Sequence, residues 1–514
     1  MNGAESLVQS LAAAGMEACF ANPGTSEMHI VEALERAPSI RCVLGLFEGV
    51  VTAAADGYAR MAGKPAATLL HLGPGLANGI ANLHNAHRAR VPILNIVGQH
   101  PTHHLRYDAP LTSDIEALAR PHSQWMKTST SAVQLARDGM EGLAAASIPP
   151  GQIATLIAPA DAAWSEGGEI ARPQLVPCAP LASVEAIEQV ASILRTGLPA
   201  AILLSGNALF GQGLRTAGRI ASFTNAKLFA PYPITRLERG AGLPRVDRMP
   251  YIPEQATSTL KNFRYLILAG SRVPVSYFSY PGKSSIQVPE TCEVHVLASE
   301  QQDCAAALEA LSITLSTDKV PPSAEPAIEP GVPPGELTTV TLAKVIGTLL
   351  PENTIVIDES MTSGRSLMPE TIGSRPHDFL TNTGGSIGIA MPLAVGTAVA
   401  CPQRPVLCLS ADGSGMYTLQ ALWTMAREGL NITTVILANN QYAVLKREFG
   451  GLGVGTPGPR AASLLEIGRP SIDWVSLAKG MGVPAMRTTS NEEFAQALKR
   501  GFDSGGPSLI EIQL

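Results

Sequence analysis

Val406–Tyr442 reads VLCLSADGSGMYTLQALWTMAREGLNITTVILANNQY, and the rest of the chain is interpreted outward from it. Val406–Ser410 is a short apolar run that stops at Ala411-Asp412-Gly413. Met416, Leu419, Leu422, Trp423 and Ala426 recur at helical spacing, and Thr433–Ala438 is a second apolar run ending at Asn439-Asn440. The pattern is strand, helix, strand. Such a crossover between parallel strands is right-handed and leaves both strand ends on one edge of a sheet. Neighbouring strands lie about 4.8 Å apart, so Asp412 and Asn439, each one step past a strand, are expected to face one small volume. A carboxylate and an amide oxygen suit a hard cation such as Mg²⁺, which commonly keeps positions open for phosphate oxygens. Gly413 and Gly415 are expected to let the backbone approach a phosphate at the start of the following helix. An ordinary crossover whose Asp and Asn cap turns has the same local signature.

The chain on either side repeats this alternation. In residues 1–165 the strands Ala18–Ala21, Cys42–Phe47, Ala66–Leu70 and Pro92–Val97 are separated by helices, one over Gly49–Met61 and one from the Gly73-Pro74-Gly75 turn to about Arg88. Thr25, Glu48 and His71 fall at the carboxyl ends of these strands, where doubly wound sheets bind ligands. Residues 180–315 form a second α/β block with strands at Ala200–Ser205 and Tyr265–Ala269. Gly206–Gly211 lacks the G-x-G-x-x-G spacing of a dinucleotide turn. The proline-rich stretch 316–336 reads as a linker, and 337–514 returns to strand–helix alternation. The expected fold class is α/β, with three doubly wound parallel-sheet domains.

Composition narrows the function. Charged residues are 16% and apolar residues 45% of 514, a balance that favours a buried, compact enzyme over a disordered chain. A net charge of −6 without a basic block argues against nucleic acid and anionic membrane as partners. Seven cysteines without a CxxC pair fit a reducing, cytoplasmic setting. The N-terminus has no basic segment before an apolar core, so no signal peptide is expected. The apolar stretch Ile387–Cys401 is too short to span a bilayer and reads as a buried helix.

Four motifs together carry a resemblance: CVLGLFEGVVTAAADGYARMAGKPA, HLGPGLANGIANLHNAHRARVPILNIVGQ, Gly384-Gly385-Ser386-Ile387-Gly388, and ADG followed by NN. The chain resembles the thiamine diphosphate (ThDP)-dependent 2-oxo acid decarboxylase and acetolactate synthase superfamily over essentially its whole length. The usual fingerprint opens GDG, and Ala411 replaces its first glycine here. The resemblance implies a pyrimidine-binding domain at 1–165, a central domain, and a diphosphate-binding domain at 337–514. It also implies a homodimer or homotetramer in which Glu48 of one copy meets the Asp412 site of another.

By that resemblance Asp412, Asn439 and the Gln441 carbonyl ligate Mg²⁺, while Gly413, Ser414, Tyr442, Ala443 and Val444 surround the diphosphate. Glu48 is the cofactor-activating acid, in apolar surroundings that would raise its pKa. Gly385 offers its carbonyl to the aminopyrimidine, and Ile387 is the apolar wedge that keeps the cofactor bent. His71 matches the proton-transferring histidine of benzoylformate decarboxylases. Thr25 stands where those enzymes have a serine on the substrate carboxylate. A second histidine of theirs falls on Tyr277, which can donate a hydrogen bond but does not shuttle protons near neutral pH.

The expected reaction is loss of CO₂ from a small 2-oxo acid to an enamine, followed by protonation to an aldehyde or carboligation. His71 favours the decarboxylase, and the Gly-Pro-Gly turn and Tyr277 favour an acetolactate synthase-type carboligase. A catalytically silent partner subunit and a flavin- or NAD-linked oxidoreductase are the other readings; intact Glu48, Asp412 and Asn439 oppose the first, and the missing dinucleotide turn the second. FAD is not expected. His100, His103 and His104 are expected in a mobile loop near the site, without a metal. Thr25, His71, Tyr277, Val444 and Leu445 are the expected pocket wall.

Overall fold

The computed structural model describes all 514 residues. Its strands are β1 (Ala18–Asn22), β2 (Arg41–Leu44), β3 (Ala66–Leu70), β4 (Ile93–Gln99), β5 (Trp125–Thr128) and β6 (Ile153–Pro159). They form a parallel sheet in the order β2-β1-β3-β4-β6-β5. Next come β7 (Ala200–Leu204), β8 (Lys227–Ala230), β9 (Leu237–Arg239), β10 (Asp247–Arg248), β11 (Tyr265–Ala269) and β12 (Glu293–Ala298). Five of these make the second sheet, β10-β8-β7-β11-β12. The third sheet is built on β13 (Ile355–Glu359), β14 (His377–Thr381), β15 (Val406–Ala411), β16 (Ile432–Ala438), β17 (Ala485–Thr488) and β18 (Ser508–Gln513), in the order β17-β18-β16-β15-β13-β14-β9. The expected α/β class holds: alternating apolar runs and helical periods have produced three sheets flanked by helices.

Three local expectations are corrected. β9, from the middle of the chain, joins the third sheet antiparallel to β14 through Leu237, Glu238 and Arg239. The helix after Asp412 is broken into Asp412–Gly415 and Ala421–Glu428, which leaves Met416 and Tyr417 exposed. Gly73-Pro74-Gly75 is the first turn of a helix, Leu72–Ala89; Pro74 is tolerated there because the first-turn N–H groups lack helical partners. The proline-rich stretch 316–336 holds no helix or strand and packs on its neighbours, with Ile328 N–H donating to the Gly373 carbonyl and Asn491 N–H to that of Gly335.

One helix pair joins the first sheet to the third. The helix Glu48–Ala62 is buried from Glu48 to Met61, and it crosses the apolar helix Ala390–Ala400. The two backbones nearly touch. A methyl on Gly57 would lie 2.2 Å from the Leu393 carbonyl oxygen, and one on Gly396 only 1.8 Å from that of Ala54. This packing puts both sheets in one continuous apolar core.

Arg60 completes the joint. Its side chain is fully buried and pairs with Asp56 through two bonds of 2.7 Å. It also donates to the carbonyls of Thr381 (2.8 Å) and Thr235 (3.4 Å) and to Thr383 Oγ1 (3.1 Å). One guanidinium thus fixes the start of the loop that carries Gly384–Gly388.

Candidate active site

At the rim of the first sheet, Thr25 opens a short 3₁₀ turn and Glu48 opens a helix, while His71 caps the helix that follows β3. Glu48 is buried and accepts a 3.0 Å bond from Asn78 Nδ2. A methyl placed on Gly75 would be 3.3 Å from both Glu48 Oε1 and His71 Cβ, so the acid and the imidazole flank one point. His71 Nδ1 lies 2.8 Å from Glu27 Oε2, which also accepts the Gly24 N–H at 2.7 Å. Glu27 is fully buried and its Oε1 has no partner. Burial pushes its carboxyl pKa up, against the pull of the Gly24 N–H and His71. The sequence reading missed Glu27. Nothing in Thr25-Ser26-Glu27 marks its carboxylate as buried, and its partner lies 44 positions away.

At the rim of the third sheet the register Ala411↔Leu437 sets Asp412 beside the turn that follows β16. Asp412 Oδ2 accepts the Asn440 N–H at 2.7 Å and Oδ1 the Gly413 N–H at 2.8 Å. Burial raises its carboxyl pKa while these N–H groups lower it. Asn439 Oδ1 accepts the Gln441 N–H at 3.1 Å, and Lys446 Nζ holds the Gln441 side chain at 2.6 Å. Asp412 and the Asn439–Gln441 turn are therefore brought together. Ser414 is buried beside them, Tyr442 precedes the helix Ala443–Gly451, and Val444 and Leu445 lie on that incompletely buried helix. The glycines are also required by packing. A methyl on Gly413 would strike the Tyr442 ring at 2.6 Å, and one on Gly415 the Trp474 ring at 2.7 Å. They admit aromatic rings.

The loop before Ala390 is held from below by Glu359, another residue the sequence reading missed. Glu359 accepts the N–H groups of Gly388 (2.9 Å), Ile389 (3.4 Å) and Ala390 (3.0 Å), and the amide of Asn382 (3.2 Å). Burial lifts its carboxyl pKa to about 7 despite these donors. Asn85 grips Ser386 through both its amide oxygen and its amide nitrogen, and His84 Nε2 lies 3.1 Å from the Gly384 carbonyl. Gly385 has φ +85° and Tyr277 Cε1 lies 3.8 Å from its methyl position; Ile387 is in the same loop. Tyr277 packs against Tyr232 and Tyr251 with ring centroids 5.7 and 5.4 Å away, and burial raises its phenol pKa.

Within one chain Glu48 and the Gly384–Gly388 loop are held at different points of the helix Leu72–Ala89. Asn78, which binds Glu48, and Asn85, which binds Ser386, are two turns apart on one helix, about 10 Å at 1.5 Å per residue. The third-sheet rim, by contrast, has a donor set suited to Mg²⁺: a carboxylate, an amide oxygen and a backbone carbonyl, all hard oxygens. Each Asp412 oxygen makes one hydrogen bond and has a second lone pair for a metal.

Comparison with known proteins agrees with this architecture. Residues 1–125 match the thiamine pyrophosphate enzyme N-terminal TPP binding domain, and residues 369–512 match the C-terminal TPP binding domain. A Mycobacterium tuberculosis protein named for the acetolactate synthase large subunit, IlvX, is 52% identical over 100% of this chain and 99% of its own. Benzoylformate decarboxylase of Pseudomonas aeruginosa is 28% identical, with 97% and 96% covered. The fold is that of the Rhodococcus jostii RHA1 thiamine diphosphate-dependent 4-hydroxybenzoylformate decarboxylase, with TM-score 0.86 at 23% identity over 100% and 99% of the two chains. Two cofactor-domain matches and a full-length relative above half identity settle the membership: the chain belongs to the thiamine pyrophosphate-dependent enzymes, in the group that includes acetolactate synthases and benzoylformate decarboxylases.

Proposed function

We propose that this enzyme uses ThDP and Mg²⁺ to remove CO₂ from a small 2-oxo acid and release the aldehyde. The observation that carries the reading is the His71–Glu27 pair, 2.8 Å apart and across Gly75 from Glu48. When bound, the cofactor supplies the carbon nucleophile and electron sink that the side chains lack. Asp412, Asn439 and the Gln441 carbonyl hold the metal. Gly413, Ser414, Tyr442, Ala443 and Val444 surround the diphosphate.

Gly385 would offer its carbonyl to the cofactor's aminopyrimidine, and Ile387 would give it an apolar surface to rest on. Glu48 would hydrogen-bond a pyrimidine nitrogen of the cofactor. Thr25 orients the substrate carboxylate. Glu27 binds His71 Nδ1 and so turns Nε2 toward the substrate, where it holds or accepts a proton. Tyr277 donates a hydrogen bond from the wall beside Gly385. A homodimer or homotetramer completes the site, with Glu48 supplied by the neighbouring copy; its support is that Glu48 and the Gly384–Gly388 loop are bound by residues two helical turns apart in one chain.

A second reading, an acetolactate synthase-type carboligase, is favoured by Tyr277 in the place of a histidine and by the name of the 52%-identical relative. All seven cysteines are free, which supports a cytoplasmic setting, and no helix is long and apolar enough to cross a membrane. Product analysis separates the two reactions. With ThDP and Mg²⁺, benzoylformate or pyruvate should yield CO₂ and aldehyde in equal amounts. Acetolactate without aldehyde would replace the first reading by the second.

A further inference from the structure

Beyond β4 the chain runs Gln99-His100-Pro101-Thr102-His103-His104, and the roles assigned above use none of these imidazoles. His100 Nε2 is buried and has no hydrogen-bond partner; the same is true of Glu27 Oε1. Both orphaned atoms belong to one corner of the first sheet. Leu70 of β3 pairs with Val97 of β4, so the parallel register carries His71 alongside Gly98. A methyl on Gly98 would lie 1.6 Å from Glu27 Oε1, which places that carboxylate on the same side as position 98. Alternate residues of an extended chain face the same way, so His100 continues the row that starts at Gly98.

This corner is held in place. The Thr102 N–H reaches both carboxylate oxygens of Asp161 at 3.1 Å, and the His100 N–H donates to Gln99 Oε1 at 2.8 Å. The His104 ring is 5.3 Å from that of His100, and exposed Tyr107 follows at 5.8 Å from His104. The expected mobile loop is therefore an anchored one. A buried polar atom without a partner is destabilising. Two of them beside one histidine mark a place shaped for a ligand that is both donor and acceptor.

We infer that His100 is a second proton-transfer residue of this site, with Nε2 hydrogen-bonded to the bound 2-oxo acid. The inference rests on the decarboxylase reading. R–CO–CO₂⁻ and one proton give R–CHO and CO₂. The electron pair of the broken C–C bond ends in the new C–H bond, so one proton must be delivered for each CO₂ lost. His71 has its Nδ1 committed to Glu27 and only Nε2 to offer. The Nε2–H of His100 supplies the proton while its Nδ1 takes one up from water reaching the ring past His104 and exposed His103, so the ring ends neutral in its other tautomer. Burial and the neighbouring His104 and His71 pull the His100 pKa below the usual imidazole value, which keeps the ring neutral near pH 7. A general acid of this kind contributes roughly 100-fold or more. It also fills the role that Tyr277, a phenol, leaves vacant.

The test compares His100→Gln and His100→Ala with the parent holoenzyme. Gln keeps an N–H but does not transfer protons as imidazole does. Aldehyde release from benzoylformate should fall about 100-fold in both variants, while CO₂ release in a single turnover falls less than threefold. Calorimetric titration with methyl benzoylphosphonate, an anionic 2-oxo acid analogue that has no CO₂ to lose, should show a Kd about tenfold higher for Ala and within threefold for Gln. Melting temperatures near the parent's would confirm an intact fold. Unchanged aldehyde release, or equal binding by all three proteins, would overturn the role of His100 and leave the decarboxylase reading standing. A parent that forms no aldehyde while Ala still weakens binding would remove the decarboxylase reading and keep the contact. No binding to the parent would remove both.

Discussion

The rims of the first and third sheets have the same architecture and opposite chemistry. At the first, carboxylates and imidazoles are crowded into an apolar setting: Glu48 is buried, Glu27 is fully buried with one oxygen unpaired, and His71 joins them. At the third, the Asp412 carboxylate is engaged by two backbone N–H groups, and the turn beside it offers neutral amides. A doubly wound sheet delivers side chains to the same edge in both cases. Burial and hydrogen bonding then decide whether a carboxylate handles protons or holds a ligand.

The sharpest way to break this contrast is to remove one acid from each rim. Asp412→Ala should abolish ThDP retention, raising its Kd more than about 100-fold, because a hard-cation site loses its only charged ligand. Glu48→Gln should leave ThDP affinity within about threefold and lower kcat by about 100-fold or more, the usual worth of positioned proton transfer. Titration calorimetry and steady-state turnover measure the two quantities. Equal losses of affinity in both variants would show that the rims are not divided in this way.

A smaller perturbation tests the Glu27–His71 pair without touching either residue. Gly98→Ala puts a methyl 1.6 Å from Glu27 Oε1, so the carboxylate must leave His71 or the strand must move. Turnover should fall about tenfold with ThDP affinity unchanged, and overpacking should reduce stability by about 1–3 kcal/mol. Full activity in this variant would remove Glu27 from the proton path.

Glu359 sharpens the comparison from the other side, since it is a titrating carboxyl that supports the third-sheet loop. Its folded-state pKa of about 7 lies above the ordinary 4.5. The folded chain therefore holds this proton more tightly than the unfolded chain. The resulting stability is fully present below pH 4.5 and is lost as pH rises through about 7, a change of about 3 kcal/mol. Between pH 5 and 7.5 the melting temperature of the parent should fall relative to that of Glu359→Gln. A constant difference across that range would mean that the site is ionised throughout.

Asp412, Asn439, Glu48 and His71 were legible because each follows an apolar run, and a strand end is the position a sequence marks best. The α/β class was legible for the same reason. Glu27, Glu359 and Arg60 were not. Their surroundings come from residues far along the chain: His71 and Gly98 for Glu27, Gly388–Ala390 for Glu359, and Thr235 and Thr381 for Arg60. Burial of a charged side chain is a tertiary property with no local signature. β9 escaped for a related reason: three residues paired antiparallel with a distant strand leave too short a pattern to assign to a sheet.

The smallest expected effect concerns Tyr277, which stands between the rims. Its ring rests against Tyr232 and Tyr251 and lies beside Gly385, and burial keeps its phenol protonated well past neutral pH. A group in that state donates one hydrogen bond and exchanges no proton during turnover. Tyr277→Phe should therefore change kcat by about threefold or less, the scale of one modest hydrogen bond of about 0.5–1 kcal/mol. Tyr277→His restores an imidazole at the wall, and the ratio of aldehyde to carboligation product from pyruvate should rise about two- to threefold. An unchanged product ratio would mean that protonation is governed wholly from the first-sheet rim, by His71 and its neighbours, and that the Tyr277 wall sets only the shape of the pocket.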